Sequence, residues 1–380
     1  MCQLTDAAVQ SRTLARRRRT AGPLTPWKLL LLAFVFGAVG NGYFVYQTVV
    51  GPGPLFRLIE RIYDFNTVLL PMVCLACGLL GLVRFPREAR VRRGTLPVIL
   101  CWLAGVGGIG VRVYATHIEP YQLQLRTVRI ESPKVKHPLR ILHVSDIQSP
   151  EVGEYERRAF ERFCALEPHL ILHTGDLLQP LTVESVEPAR KRMAALWESV
   201  EPPLGKFNVI GDTGQWMRDF LLGGVGGLRT LDGEEVILES EGTRVRILGL
   251  RLEQSRNPVL ANRVVEPWLA TTTPEDFTIV MGHAPDFILE LKDFPVDLCL
   301  AGHTHGGQVH LPFVGPLITS SRVPRSMARG FFRYGQTRVN VSAGVGCEHV
   351  GGIAPIRFNC PPEMTLIELV PGDRSTDSTD

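Results

Sequence analysis

Leu298-Cys-Leu-Ala-Gly-His-Thr-His-Gly-Gly-Gln308 is the stretch from which the rest of the chain is best read. A mostly apolar run, Val296 to Ala301 with Asp297 the exception, predicts a buried strand that stops at Gly302. His303 and His305 follow, then Gly306 and Gly307. In an extended segment, imidazoles at i and i+2 point the same way and can face one cavity at the strand end. Glycines beside them leave room for a ligand or a loop to come close. On its own the stretch fits either a metal site or two histidines in a polar turn.

Outward from it, the 380-residue chain has room for several domains, or for one large domain and a membrane part. A net charge of +3 gives no reason to invoke nucleic acid. Three segments without charge, Leu29–Val50, Phe65–Val83 and Gly94–Val111, are each long enough to cross a bilayer core of about 30 Å at about 1.5 Å per residue. The first is too long for a signal-peptide core and has no clear cleavage site after it. Arg16 to Arg19 precede the spans, and Arg84, Arg87, Arg90, Arg92 and Arg93 fill the second loop. The first loop carries only Arg57 and Arg61, offset by Glu60 and Asp64. The positive-inside rule therefore places residues 1–26 and 84–93 in the cytoplasm. The chain beyond residue 115 is then expected outside the cytoplasmic (inner) membrane, on a multi-pass anchor.

Beyond the spans, Gln122–Ile130 alternates as a strand, and a regular succession begins. Strands are expected at Leu139–Val144, Pro168–His173, Lys206–Ile210, Val245–Leu250 and Phe277–Met281, with helices at Glu154–Leu166 and Val183–Val200. Such alternation implies α/β architecture with a largely parallel sheet buried on both faces. Cys74 and Cys77 fall inside an apolar span and read as packing residues. Cys164 and Cys299 read as core, while Cys347 and Cys360 could pair in an oxidising compartment.

Asp146, Asp176, Asp212, His283 and the His303/His305 pair each fall just past a predicted strand end. In open α/β sheets that edge binds ligands. One Asp there is usually a cap or turn former, but a succession of Asp and His is a ligand set. Carboxylates and imidazoles without thiolates suit Mn, Fe, Zn or a mixed pair. Two such ions about 3.5–4 Å apart can clamp a phosphoryl group and activate water.

The order Asp146…Gly175-Asp176…Gly211-Asp212…Gly282-His283…Gly302-His303-Thr304-His305 resembles the calcineurin-like metallophosphoesterases, most of all their membrane-anchored bacterial YkuE-type branch. Pro355 to Glu363 is also similar to that branch, and the resemblance covers roughly residues 117–370. It implies an αββα sandwich with a dinuclear centre at one edge, preceded here by three transmembrane helices. It also implies that Asp146, Asp176 and His305 hold one divalent ion. Asp176, Asp212, His283 and His303 would hold the second, with Asp176 bridging. The chain then divides into a basic N-terminus (1–26), a membrane anchor (27–115), the phosphoesterase domain (116–371) and a tail (372–380) expected to be disordered.

Three positions depart from the family pattern. Its Asp-x-His reads Asp146-Ile-Gln148, and its Gly-Asn-His reads Gly211-Asp212-Thr213. Gln148 offers an amide oxygen, a weaker ligand for transition metals than imidazole. Asp212 adds a negative charge that opposes an anionic substrate. Thr213 takes the place of the histidine that would assist the phosphoryl oxygen or leaving group, and it cannot act as an acid near neutral pH. His349 is a candidate substitute; Arg357 is a candidate phosphate contact or a structural ion pair; His143 and His173 read as interior residues. The catalytic candidates are Asp146, Asp176, His303, Thr213 and His349. The expected activity is membrane-anchored, metal-dependent hydrolysis of a phosphomonoester or phosphodiester, with a lipid or cell-envelope ester compatible with the anchor. The alternative is a metal-stabilised binding or scaffold domain without turnover.

Overall fold

In a computed structural model, which describes residues 25–50, 55–84, 95–180, 182–316, 318–348 and 355–372, the chain forms two compact units, Met1–Val113 and Tyr114–Asp380. The first holds helices α1 (Pro26–Val50), α2 (Leu55–Asp64), α3 (Leu70–Arg84) and α4 (Thr95–Val113), with a π-helical turn joining α2 to α3. Three stretches, Pro26–Gln47, Arg61–Val83 and Thr95–Tyr121, are long and apolar enough to cross a membrane. Leu29, Ala33, Cys74, Cys77 and Cys101 pack together between these helices, so the Cys-x-x-C serves packing. Phe34, Val39, Val45 and Val83 point outward, as side chains solvated by lipid do. Asn41 and Asn66 bond each other's amides at 2.8 and 3.0 Å, which satisfies two polar groups inside the apolar bundle. The arginine blocks at 16–19 and 87–93 lie outside the described residues, as do His349 and 373–380.

The second unit is built on strands whose alternate residues face different layers. In β2 (Leu139–Val144), Leu139 and Ile141 enter one apolar cluster, and Leu142 and Val144 enter another. The same split recurs in β3 (Leu170–His173), β7 (Thr243–Gly249), β8 (Phe277–Met281) and β9 (Leu298–Ala301). Strands apolar on both faces must be covered on both faces. Here that yields two six-stranded sheets sharing one core. The first sheet runs β1 (Gln124–Ser132), β14 (Glu363–Pro371), β2, β3, β4 (Lys206–Asn208), β5 (Arg229–Thr230). The second runs β12 (Gly330–Tyr334), β13 (Thr337–Val341), β9, β8, β7, β6 (Glu234–Ser240).

Helices α5 (Glu154–Ala165) and α6 (Val183–Glu198) pack outside the first sheet through Phe160, Phe163, Met193 and Trp197. Short helices α7 (Arg218–Leu222) and α8 (Leu252–Arg256) follow, and α9 (Pro258–Leu269) covers the second sheet through Ala261, Val265 and Trp268. The layering is αββα, with two sheets where periodicity alone suggested one. A hairpin of β10 (His310–Leu311) and β11 (Gly315–Pro316) projects from the second unit.

Two cysteine expectations change. Cys164 is exposed, on the solvent side of α5. Cys347 and Cys360 are both buried free thiols with the Arg357 guanidinium bonded to each, at 3.3 and 4.0 Å from their sulfurs.

Candidate metal centre

The central strands of both sheets end at one edge, and the predicted residues come off those ends. β2 delivers Asp146, β3 Asp176, β4 Asp212, β8 His283 and β9 His303 and His305. Close approach is possible because glycines precede the ligands. A Cβ on Gly211 would lie 2.1 Å from Oδ1 of Asp176, and one on Gly302 would lie 2.3 Å from Oδ2 of Asp146. Asp146, Gln148, Asp176, His303 and His305 all have positive φ, between 45° and 67°. That conformation is unfavourable for L-residues and concentrates at sites where surrounding structure enforces it.

The two histidines after β9 therefore do not act as an extended i, i+2 pair. His305 opens a short 3₁₀ turn, and the two rings diverge to different carboxylates. His303 Nδ1 lies 3.0 Å from Oδ2 of Asp212, and His305 Nε2 lies 3.6 Å from Oδ1 of Asp146. Left-handed backbone at both positions, not strand pleating, sets their directions.

Two overlapping donor groups result, Asp212–His283–His303 and Asp146–Asp176–His283, each with ligand atoms within 4.8 Å of one another. Donors about 2.0–2.2 Å from a shared ion stand at comparable separations. His283 Nε2 is 3.3 Å from Asp176 and 3.7 Å from Asp212, without a well-directed hydrogen bond to either. Its Nδ1 bonds the Thr174 carbonyl at 2.8 Å, which leaves Nε2 as the atom turned to the carboxylates. Oδ1 of Asp212 and Oε1 of Gln148 are likewise buried without a hydrogen-bond partner. Buried ligand-type atoms left unsatisfied in one place fit a bound cation.

Electrostatics agree. Burial pushes the Asp146 carboxyl up to about 6, His283 opposing and Asp176 adding to the shift. Burial alone would lower His283, but Asp176 and Asp212 hold it well above the ordinary imidazole range. Burial would raise Asp212, but the His283 and His303 imidazoles that face it bring it below the usual carboxylate range. Without metal, protons thus offset the crowded carboxylates.

Gln148 is completely buried, and its orientation is fixed. Its Nε2 donates to Glu348 Oε2 at 2.6 Å, and Gln179 Nε2 donates to the other oxygen of Glu348 at 2.8 Å. A carboxylate only accepts, so the Gln148 carbonyl must be the outward end. Thr213 donates its backbone N–H to Asp176 Oδ1 at 2.9 Å, and its hydroxyl is buried without a partner. Arg256, at the end of α8, pairs with Asp212 and remains about half exposed. Residue-by-residue reading missed Arg256, Glu348 and Gln179, since none belongs to a motif and each makes its contact across a long stretch of chain.

Arg357 is no phosphate contact. It is fully buried and donates to the carbonyls of Ala343, Gly346 and Cys360, tying the loop after β13 to the one before β14. His143 and His173 are interior: His143 bonds Thr174 at 3.0 Å and Asn340 at 2.7 Å, and His173 bonds Asn208 at 2.6 Å. Burial lowers them to about 3 and about 4, so both stay neutral.

Residues 139–307 match the family described as calcineurin-like phosphoesterase. An uncharacterized metallophosphoesterase of Bacillus subtilis, YkuE, is 28% identical over 280 residues, covering 70% of this chain and 91% of that protein. The UDP-2,3-diacylglucosamine pyrophosphatase LpxG of Chlamydia trachomatis is 24% identical over 313 residues, covering 68% and 92%. The phosphodiesterase YaeI of Escherichia coli is 38% identical over 92 residues, covering 24% and 32%. The matched region runs from the strand that carries Asp146 to the glycines after His305, and residues 139–307 accordingly form a calcineurin-like metallophosphoesterase domain, that of a phosphoric ester hydrolase.

Proposed function

We propose that this chain is a membrane-anchored phosphoesterase acting on a phosphomonoester or phosphodiester through two divalent ions, Mn, Fe or Zn. The observation that carries this reading is the pair of overlapping donor groups with unsatisfied buried ligand atoms. Asp146, Gln148, Asp176 and His305 are assigned to the first ion. Asp176, Asp212, His283 and His303 would hold the second, Asp176 being common to both assigned sets. Such a pair supplies Lewis acidity toward phosphoryl oxygens and acidifies bound water.

The chain's own residues do the rest. Asp212 carries a charge that a neutral amide would not, and Arg256 offsets it at the exposed side, where an anionic phosphate must approach. The Thr213 N–H fixes one Asp176 oxygen. The Thr213 hydroxyl cannot deliver a proton near neutral pH, so protonation of the leaving group falls to another side chain or to solvent. His349 remains a candidate for that task.

The test is metal analysis of the purified full chain together with hydrolysis of an aryl phosphodiester. About two ions per chain are expected, with turnover abolished by a chelator and restored by manganese. A full metal load with no turnover on any aryl phosphate would instead mean a metal-stabilised binding domain.

The arginine asymmetry across the three spans favours a catalytic domain outside the cytoplasmic membrane. Protease added to intact spheroplasts should then digest residues beyond about 116. Digestion only after lysis would reverse the orientation. The diacylated UDP-sugar in the name of the pyrophosphatase LpxG supports a lipid or cell-envelope phosphate compound as the favoured substrate class.

A further inference from the structure

The hairpin β10–β11 carries Leu311, Phe313 and Val314 at its tip, all exposed, with Phe313 fully so and in a left-handed conformation. A soluble domain gains nothing by presenting three large apolar side chains on a two-residue-per-strand hairpin. Its surroundings within the domain say what covers it.

The segment Arg357–Cys360 lies between the hairpin base and the first residues of the domain. On one side, Phe358 accepts the His310 N–H at 2.8 Å, donates to the Gln308 carbonyl at 2.9 Å and bridges Val309. On the other, the Arg357 N–H donates to the Ala115 carbonyl at 2.8 Å, the Tyr114 ring meets Phe358 at 6.3 Å, and Glu119 accepts the Asn359 N–H at 2.9 Å. Residues 114–121 are the end of the third apolar stretch, Thr95–Tyr121. Tyr114, Ile118 and Tyr121 are exposed there, and tyrosine is a side chain that settles at a membrane–water interface. One face of the domain thus combines the last turns of a candidate span with an apolar hairpin tip.

We propose that Leu311, Phe313 and Val314 dip into the bilayer crossed by the spans, as an interfacial anchor beside the metal centre. This rests on the reading that residues 26–121 cross a membrane. The hairpin is coupled to the centre: it begins three residues after Gly307, and His310 Nε2 bonds the Gly306 carbonyl, next to His305. An anchor of this kind buries its apolar face about 5–10 Å into the headgroup/acyl boundary, which keeps the site close to the layer where phosphate esters of lipids lie.

The test uses the full chain in phospholipid vesicles, with Phe313→Trp read against Ile237→Trp, an exposed position on the edge strand β6. Brominated acyl chains should quench the added emission at 313 by about two-fold or more and leave that at 237 unchanged. Equal response at the two positions, with 313 open to aqueous iodide, overturns the proposal. Shielding of 313 from both quenchers also overturns it, in favour of a protein partner or a second copy. A chain that fails to float with the vesicles refutes the membrane reading itself, and so marks that failure separately.

Discussion

Asp176→Ala is expected to empty both metal positions, leaving well under one ion per chain after dialysis, whereas Gln148→Ala should lose no more than one. Asp176 is the carboxylate common to both assigned ions. It lies 3.3 Å from His283 Nε2, it accepts the Thr213 N–H at 2.9 Å, and its carbonyl accepts the Gln148 N–H at 2.8 Å. Removing it takes away a bridging charge and frees the 213 segment at once, while removing Gln148 deletes one neutral donor. Alanine at φ 57° adds backbone strain of about 1–2 kcal/mol, so Asp176→Asn, which keeps the shape and the turn preference, is the needed companion.

Metal analysis with a circular dichroism check on folding decides the matter, and equal loss in the Asp176 and Gln148 variants would end the bridging assignment. Protons compete for the same atoms. Asp146 is raised to about 6 and His283 well above its ordinary value, and both must be deprotonated to bind metal. Retention of metal should therefore begin to fall above pH 6, where His283 takes up its proton, and fall further through about 6, well above the ordinary carboxylate range near 4.

Thr213→His is expected to raise turnover of an aryl phosphodiester by about 10²-fold, the lower part of the range for a positioned general acid. The gain should come with a new pH-dependent limb in the rate profile. Asp212 is adjacent and would raise the pKa of the new imidazole, although Arg256 already occupies part of that carboxylate. Gln148→His should act differently, tightening the first ion with little effect on proton transfer. Glu348, now the acceptor for the Gln148 amide, would then accept from one ring nitrogen while the other ligates, an arrangement that raises ligand basicity. Together the changes should exceed either alone, because an acid helps only when the phosphate is held by both ions. Slower turnover in both single variants, at saturating manganese, would mean that Gln148 and Thr213 serve a different mechanism. Four inert proteins with normal metal content would leave binding as the function.

Much of the centre is legible in the chain itself. Asp146, Asp176, Asp212, His283, His303 and His305 announce themselves because parallel strands must end at one edge, and a short apolar run followed by glycine marks most of those ends. Arg256, Glu348 and Gln179 give no such signal. Each meets a ligand or its support only through a contact spanning 44, 200 or 169 residues, and none sits at a strand end. Arg357 misleads for a related reason: a guanidinium near a site looks like an anion binder, yet burial and five carbonyl partners use up its donors.

The amino-acid order by itself determined which side chains reach the sheet edge, how many apolar stretches precede the domain, and where the family pattern is broken. These depend on period, length and residue type, which are local properties. Only the tertiary structure decided that alternate strand faces divide between two sheets, that the histidines at 303 and 305 part company through left-handed backbone, and that the Gln148 carbonyl is the end left for a ligand. Those outcomes depend on which distant groups meet each donor and acceptor, and chain order does not encode that locally.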